Sequence, residues 1–141
     1  MRWLRVVVLT CLCLALGDAV GQAGDVPPPG PPFVVLLGPD GVQRATVTLD
    51  SYSYVPGHLI VEAGKPVELT LTSVTTITPH NFIIKDPAGG MNVEQDVGAG
   101  KTVTVKFTPT QAGVFAIYCD KRLWPLPSHR EKGMEGKLEV K

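Results

Sequence analysis

The chain has 141 residues with 13 basic and 13 acidic side chains, so it is formally neutral, which argues against nucleic acid as a partner. Its length and its 44% content of apolar residues are enough for one domain with its own core.

The first 23 residues have the pattern of a secretory signal peptide. Arg2 and Arg5 precede an apolar run over residues 6–16, and small residues follow as far as Ala23. The run is too short to cross a bilayer, and no other segment is a candidate membrane span. We therefore predict a signal peptide over residues 1–23 and a periplasmic or otherwise exported protein of 118 residues (141 less 23).

One cysteine of the predicted exported protein is expected to be buried or bound to a metal. Cys11 and Cys13 leave with the predicted signal peptide, so Cys119 is the single cysteine of the exported protein and has no internal disulfide partner. An unpaired thiol in an oxidising compartment is at risk unless it is buried or bound, and a metal is its commonest binder.

After the signal peptide comes a proline-rich leader, "GDVPPPGPP", over residues 24–32, which is typical of an extended spacer. From Phe33 onward apolar and polar residues alternate, most clearly in "VELTL" (67–71), "VTVKF" (103–107) and "GKLEVK" (136–141). Glycine and proline separate these runs. The pattern predicts one all-β domain over residues 33–141, a sandwich or barrel of about eight strands.

The same alternation indicates which side chains face the core, because residues two apart in a strand point the same way. His80 shares its parity with Phe82, and Cys119 shares its parity with Ile117. Met134 has the phase of Leu138, unless a turn at the intervening glycine breaks the register.

Four side chains form a coherent set of metal donors: His80, Cys119, His129 and Met134. A thiolate, two imidazoles and a weak thioether suit copper in both oxidation states, because sulfur stabilises Cu(I) and imidazole tolerates Cu(I) and Cu(II). His80 lies far from the others in sequence, so the fold must bring it in. The other three flank or lie in the loop between the last two predicted strands.

The segments "TPHNFIIKD", "GVFAIYCD" and "SHREKGMEGKLEV" resemble those of the cupredoxins, the small blue copper proteins of the plastocyanin, pseudoazurin and azurin type. The resemblance covers residues 33–141 and implies a Greek-key β-sandwich with one copper ion. It also implies that His80 and His129 are the imidazole ligands, Cys119 the thiolate and Met134 the long axial ligand. Asn81 matches a polar residue that ties the two ligand loops together in the family.

The sequence departs from that family in one loop. Nine residues, "DKRLWPLPS", separate Cys119 from His129, whereas two to four are usual in the family. The geometry and colour of a copper site are therefore left open, as is a looser site with a carboxylate or water ligand. Trp124, Leu126 and the two prolines beside them are expected to form a stiff apolar flap over the metal or beside His129.

Several further residues are alternative ligands or contacts. His58 follows a turn and is expected at the surface, away from the metal. Met91 is a substitute for the axial ligand, although Met134 has the better position. Four cations of the ligand loop form either a solvated rim or a docking patch: Lys121, Arg122, Arg130 and Lys132.

The leading functional hypothesis is a monomeric periplasmic electron carrier. It would exchange electrons with a redox protein that docks around Trp124 and Leu126. Electrons would leave the metal site through His129. The alternative is copper storage or delivery to a copper acceptor. A cysteine-histidine hydrolase is disfavoured because no nucleophile-elbow motif surrounds Cys119, so we do not expect an enzyme. An immunoglobulin-like module without metal is the remaining alternative.

Overall fold

The computed structural model describes residues 30–141. The predicted signal peptide and residues 24–29 of the leader lie outside this range. Within it, no helix is long and apolar enough to cross a membrane.

Residues 30–141 form ten strands in two sheets, which confirms the predicted all-β sandwich. The six-stranded sheet has the order β1-β4-β10-β9-β6-β7, and the four-stranded sheet the order β3-β2-β5-β8. The strands are β1 Phe33–Val34, β2 Gln43–Asp50, β3 Ser53–Val55, β4 His58–Val61, β5 Val67–Ser73, β6 His80–Asp86, β7 Met91–Val97, β8 Thr102–Phe107, β9 Gly113–Tyr118 and β10 Glu135–Val140. The three alternating segments quoted above fall on β5, β8 and β10.

The core lies between the sheets and follows the alternation of the sequence. In β5 every second residue from Val67 is buried, as expected for a strand with one face on a core. Strand β6 differs, because all five residues from His80 to Ile84 are buried. Asn81 is therefore a buried polar residue, which requires hydrogen-bond partners.

The ends of three neighbouring strands, β10, β9 and β6, meet at one end of the six-stranded sheet and position the candidate ligands. Strand β6 begins at His80, β9 ends just before Cys119, and β10 begins just after Met134. Tyr118, the last residue of β9, pairs with Ile83 of β6 and with the first residue of β10. Because β9 is antiparallel to both neighbours, its carboxyl end lies beside their amino ends.

Gly136 lies inside β10 and does not interrupt it. A Cβ atom at this position would stand 2.8 Å from the carbonyl oxygen of Gly57, so only glycine permits this close approach of backbone. The register continues through the glycine, and Met134, Leu138 and Val140 are all buried, as their shared phase predicted.

The prediction that His58 is a surface residue is wrong. His58 is the first residue of β4, is 8% exposed, and has its Nε2 atom 3.0 Å from Oε2 of Glu139. The turn ends at the preceding glycine, so the strand begins at the histidine and is covered by β10, its parallel neighbour. His58 does not belong to the cluster of candidate ligands.

Met91 lies at the wrong end of the sandwich to serve as a ligand beside His80. In the β6–β7 hairpin Met91 pairs with Asp86, whereas His80 pairs with Val97. The two ends are six residues apart, or about 20 Å at the rise of an extended strand. Met91 is fully buried in the core.

Candidate metal centre

Three of the four predicted ligands come together in the fold. One donor atom from each of His80, Cys119 and His129 lies within 4.8 Å of the other two, and all three residues are buried. Cys119 Sγ lies 3.4 Å from His129 Nδ1, and the centroids of the two imidazole rings are 5.1 Å apart. A soft sulfur and two imidazole nitrogens therefore surround one point.

Met134 is the fourth predicted ligand, and its main chain adjoins the cluster. Its carbonyl oxygen accepts a hydrogen bond from the Cys119 N–H at 3.3 Å, and its own N–H donates to the His129 carbonyl at 2.9 Å. The side chain is fully buried. Its ligation of a metal stays a prediction.

His80 indicates that the cluster is built for a bound group. The residue is completely buried, and neither ring nitrogen has a hydrogen-bond partner in the described part of the chain. A buried polar group without a partner is destabilising by about 1–3 kcal/mol. A metal ion would remove that cost for the nitrogen that binds it, so the residues present fit copper, the predicted cofactor.

The electrostatics of the site favour metal binding by neutral imidazoles. Burial lowers the pKa of His80, and the neighbouring His129 lowers it further. Burial also lowers the pKa of His129, helped by the positive charges of Lys132 and Lys121. Both rings are thus held in the unprotonated form that binds metals.

The thiol of Cys119 is held in its protonated form while no metal is present. Burial raises its pKa, while backbone N–H groups, among them that of Asn81, oppose the rise. The Asn81 N–H points at Sγ with an N–S distance of 3.4 Å. The same donor would stabilise a thiolate once a metal displaced the proton.

Asn81 joins the two loops that carry ligands, as the resemblance implied. Its Nδ2 atom donates to Asp120 Oδ1 at 2.7 Å, and its Oδ1 atom accepts from the Asp120 N–H at 3.1 Å. These paired bonds fix the residue after His80 to the residue after Cys119.

His129 is carried by a single turn over residues 129–133, which a reciprocal pair of hydrogen bonds closes. The N–H and hydroxyl of Ser128 each donate to Glu131 Oε2 at 2.6 Å, and the Glu131 N–H donates back to the hydroxyl at 3.2 Å. The two bonds that Ser128 donates, together with one from Arg122, lower the pKa of Glu131 to about 2. The sequence "SHRE" is a capping box, a local signal that our sequence predictions missed.

Tyr52 is a second contact of His129 that the sequence did not reveal. The two rings meet edge to face, with centroids 4.8 Å apart and an angle of 63° between their planes. Lys132 Nζ donates to the Tyr52 hydroxyl at 2.9 Å. Tyr52 and Lys132 are 80 residues apart, and no local pattern connects them.

The nine-residue segment 120–128, here called the arm, places apolar side chains beside His129. Leu126 and Pro127 line a groove together with His129. Trp124, which we expected in the same flap, is 81% exposed and does not line this groove. His129 itself remains 7% exposed.

The four cations of the ligand loop make different contacts. Three are paired with carboxylates: Lys121 with Asp96, Arg122 with Glu131 and Arg130 with Glu135. Lys132 instead contacts the ring and hydroxyl of Tyr52.

Comparisons with known proteins agree with the fold. The family model for the cupredoxin-like domain matches residues 38–138. No curated protein matches the chain. Among solved structures, the metal-binding domain of the Cu(I)-exporting P-type ATPase CopA of Streptococcus pneumoniae, solved with Cu(I), is similar at a TM-score of 0.58 and 18% identity, over 79% of this chain and 96% of that chain.

Auracyanins are also among the similar structures. The reduced auracyanin of Roseiflexus castenholzii has a TM-score of 0.55 at 18% identity, over 70% of this chain and 96% of that one. Auracyanin A of Chloroflexus aurantiacus, described as a blue copper protein, has a TM-score of 0.51 at 22% identity, over 70% of this chain and 99% of that chain. These likenesses establish the fold, and the family model covers most of the chain. The chain therefore belongs to the family of cupredoxin-like domains, as the sequence motifs predicted.

Proposed function

We propose that this chain binds one copper ion between His80, Cys119 and His129, with Met134 as a weak axial ligand, and that it carries single electrons outside the cytoplasm. The observation that carries the proposal is the cluster of one thiol and two imidazoles within 4.8 Å. In it the fully buried His80 has no hydrogen-bond partner for either ring nitrogen among residues 30–141.

The donor types favour copper over the other common metals. A structural zinc site takes four strong ligands from cysteine, histidine and carboxylates, whereas this cluster offers three, with a methionine beside it and no carboxylate among its members. Two histidines, one cysteine and a weak methionine form the donor set of blue-copper electron-transfer sites. Copper bound there would supply a Cu(I)/Cu(II) couple.

The residues around the cluster support electron transfer by holding the donors still. His80 is fixed by β6, and Cys119 directly follows β9. The Asn81–Asp120 bonds join these two segments, and the capping box fixes the turn that carries His129. A frame that keeps the donor positions the same in both oxidation states lowers the reorganisation that accompanies each transfer.

The exposed apolar residues near His129 support a redox protein as the partner. Leu123, Trp124 and Leu126 are 74%, 81% and 50% exposed, and Leu123 and Leu126 line the same groove as His129. A weak complex over this small surface would bring a donor or acceptor close to a ligand of the metal. Export through a signal peptide over residues 1–23, a spacer over residues 24–32 and a monomeric, non-enzymatic carrier over residues 33–141 complete the proposal.

Electrochemistry of the copper-loaded protein tests the carrier function. We expect a reversible one-electron wave with fast transfer, because the donors are held by strands and by a closed turn. An irreversible wave, with loss of copper on reduction, would contradict the proposal.

Copper delivery is a second candidate. The groove beside His129 favours it, since a partner's ligands could reach the site along this route. The two functions differ in how easily the reduced protein gives up its metal. A carrier retains Cu(I) for hours in the presence of a competing chelator, whereas a delivery protein passes Cu(I) to the chelator within the mixing time.

A further inference from the structure

A groove of about 350 Å³ opens beside His129, between the arm and the segment that precedes β6. Ile77 and Pro79 line it from one segment, and Leu123 and Leu126 line it from the arm. Ile77 is 87% exposed and Leu123 is 74% exposed. The groove is therefore an apolar concavity that nothing else in the described chain covers.

The charges of this groove all have one sign. Lys121, Arg122 and Lys132 line it, and no carboxylate is among its lining residues. The first two are paired with carboxylates that lie outside the groove, at 2.7 Å in each case. Within residues 30–141, no carboxylate lies within 4.0 Å of the Lys132 ammonium, which donates to Tyr52 instead. Apolar walls with uncompensated positive charge suit an anion that has a large apolar part.

We propose that this groove binds a small aromatic carboxylate, with its ring against Ile77 and Leu126 and its carboxylate near Lys132. The volume lies at the lower end of the range for small-molecule pockets, about 300–1,000 Å³, so one or two fused rings match it better than a large cofactor. The proposal rests on the apolar walls and the cations alone. It therefore holds whether or not the neighbouring cluster binds copper.

Titration of the full-length mature protein, as isolated, with 2-naphthoate and with its neutral isostere 2-naphthamide tests the charge requirement. We expect saturable binding of the acid that is about three- to tenfold tighter than that of the amide, and that weakens with added salt. Equal affinity for the two ligands, or the absence of saturable binding of either, would overturn the proposal. Repeating the titration with added copper separates this outcome from any failure of the metal site.

Two matched pairs of variants locate the ligand in the groove. Lys132→Met and Leu126→Ser should each weaken binding of 2-naphthoate about three- to fivefold, and Lys132→Met should also remove the preference for the acid over the amide. Lys106→Met and Leu36→Ser make the same exchanges at exposed positions that do not line the groove. These controls should bind as the parent protein does. Equal weakening by a control and its partner variant would show that the ligand binds elsewhere.

Discussion

Replacement of Asn81 by alanine tests whether the link between the two ligand-bearing loops stabilises the fold. The side chain is buried, at 3% exposure, and makes two hydrogen bonds to Asp120, at 2.7 and 3.1 Å. The variant loses both bonds and leaves the Asp120 N–H without its partner. At about 1 kcal/mol for each bond, with a further cost for the unpaired group, the free energy of unfolding should fall by about 2–3 kcal/mol.

Urea denaturation of the metal-free protein measures this loss. For a domain of this size a change of 2–3 kcal/mol moves the midpoint down by roughly 1–2 M. Asn92→Ala is the matched control, because Asn92 lies in the adjacent strand β7 and is exposed. Within residues 30–141 its side chain makes only a long 3.4 Å hydrogen bond, accepted from Lys85. It should change the free energy by no more than about 0.5 kcal/mol. Equal midpoints for the two variants would refute a structural link through Asn81.

Three further predictions concern protons and the turn that carries His129. Copper binding at neutral pH should release about one proton per ion, because burial raises the pKa of the Cys119 thiol and lowers the pKa of both imidazoles in the cluster. A titration in weak buffer measures the released protons. Release of no proton would show that the thiol is not a ligand. The hydrogen bond from His58 lowers the pKa of Glu139, so the carboxylate stabilises the fold above its ordinary pKa and this contribution is lost as the pH falls through the lowered value. Glu139→Gln should therefore lose less stability than the parent on acidification from about pH 6 to 3. An equal fall in the free energy of unfolding of the two proteins over this range, measured by denaturation, would contradict the pairing. Ser128→Ala should destabilise the turn that carries His129 by about 1 kcal/mol and weaken Cu(I) binding roughly fivefold, as measured against a competing chelator; an unchanged affinity would show that the capping box does not position the ligand.

The longer strands could be predicted because alternation over five or more residues, bounded by glycine and proline, matches the period of a half-buried strand and not that of a helix. Strands β1 and β3 could not, since two and three residues are too few to show a period. The described part of the chain therefore has ten strands where the sequence predicted about eight. The buried face of β6 was assigned correctly for His80, but the burial of Asn81 depends on Asp120, a partner that spacing alone does not reveal.

The cluster could be predicted because its members are chemically distinctive and occur in a characteristic order. The contacts around it could not, because they join residues distant in sequence. Tyr52 reaches His129 from the turn between β2 and β3, and His58 is buried by a partner 81 residues away. The exposure of Trp124 was also unpredictable, because an apolar loop residue can face either the core or a partner protein.

Visible and paramagnetic resonance spectra, recorded after addition of Cu(II) to the mature protein and to Cys119→Ser, test the central claim most directly. If the thiolate of Cys119 binds copper beside two imidazoles, the parent protein will show an intense visible absorption with narrow copper hyperfine splitting, and the variant will lose both. Weak absorption and ordinary hyperfine splitting, the same in the two proteins, would contradict a copper site at this cysteine.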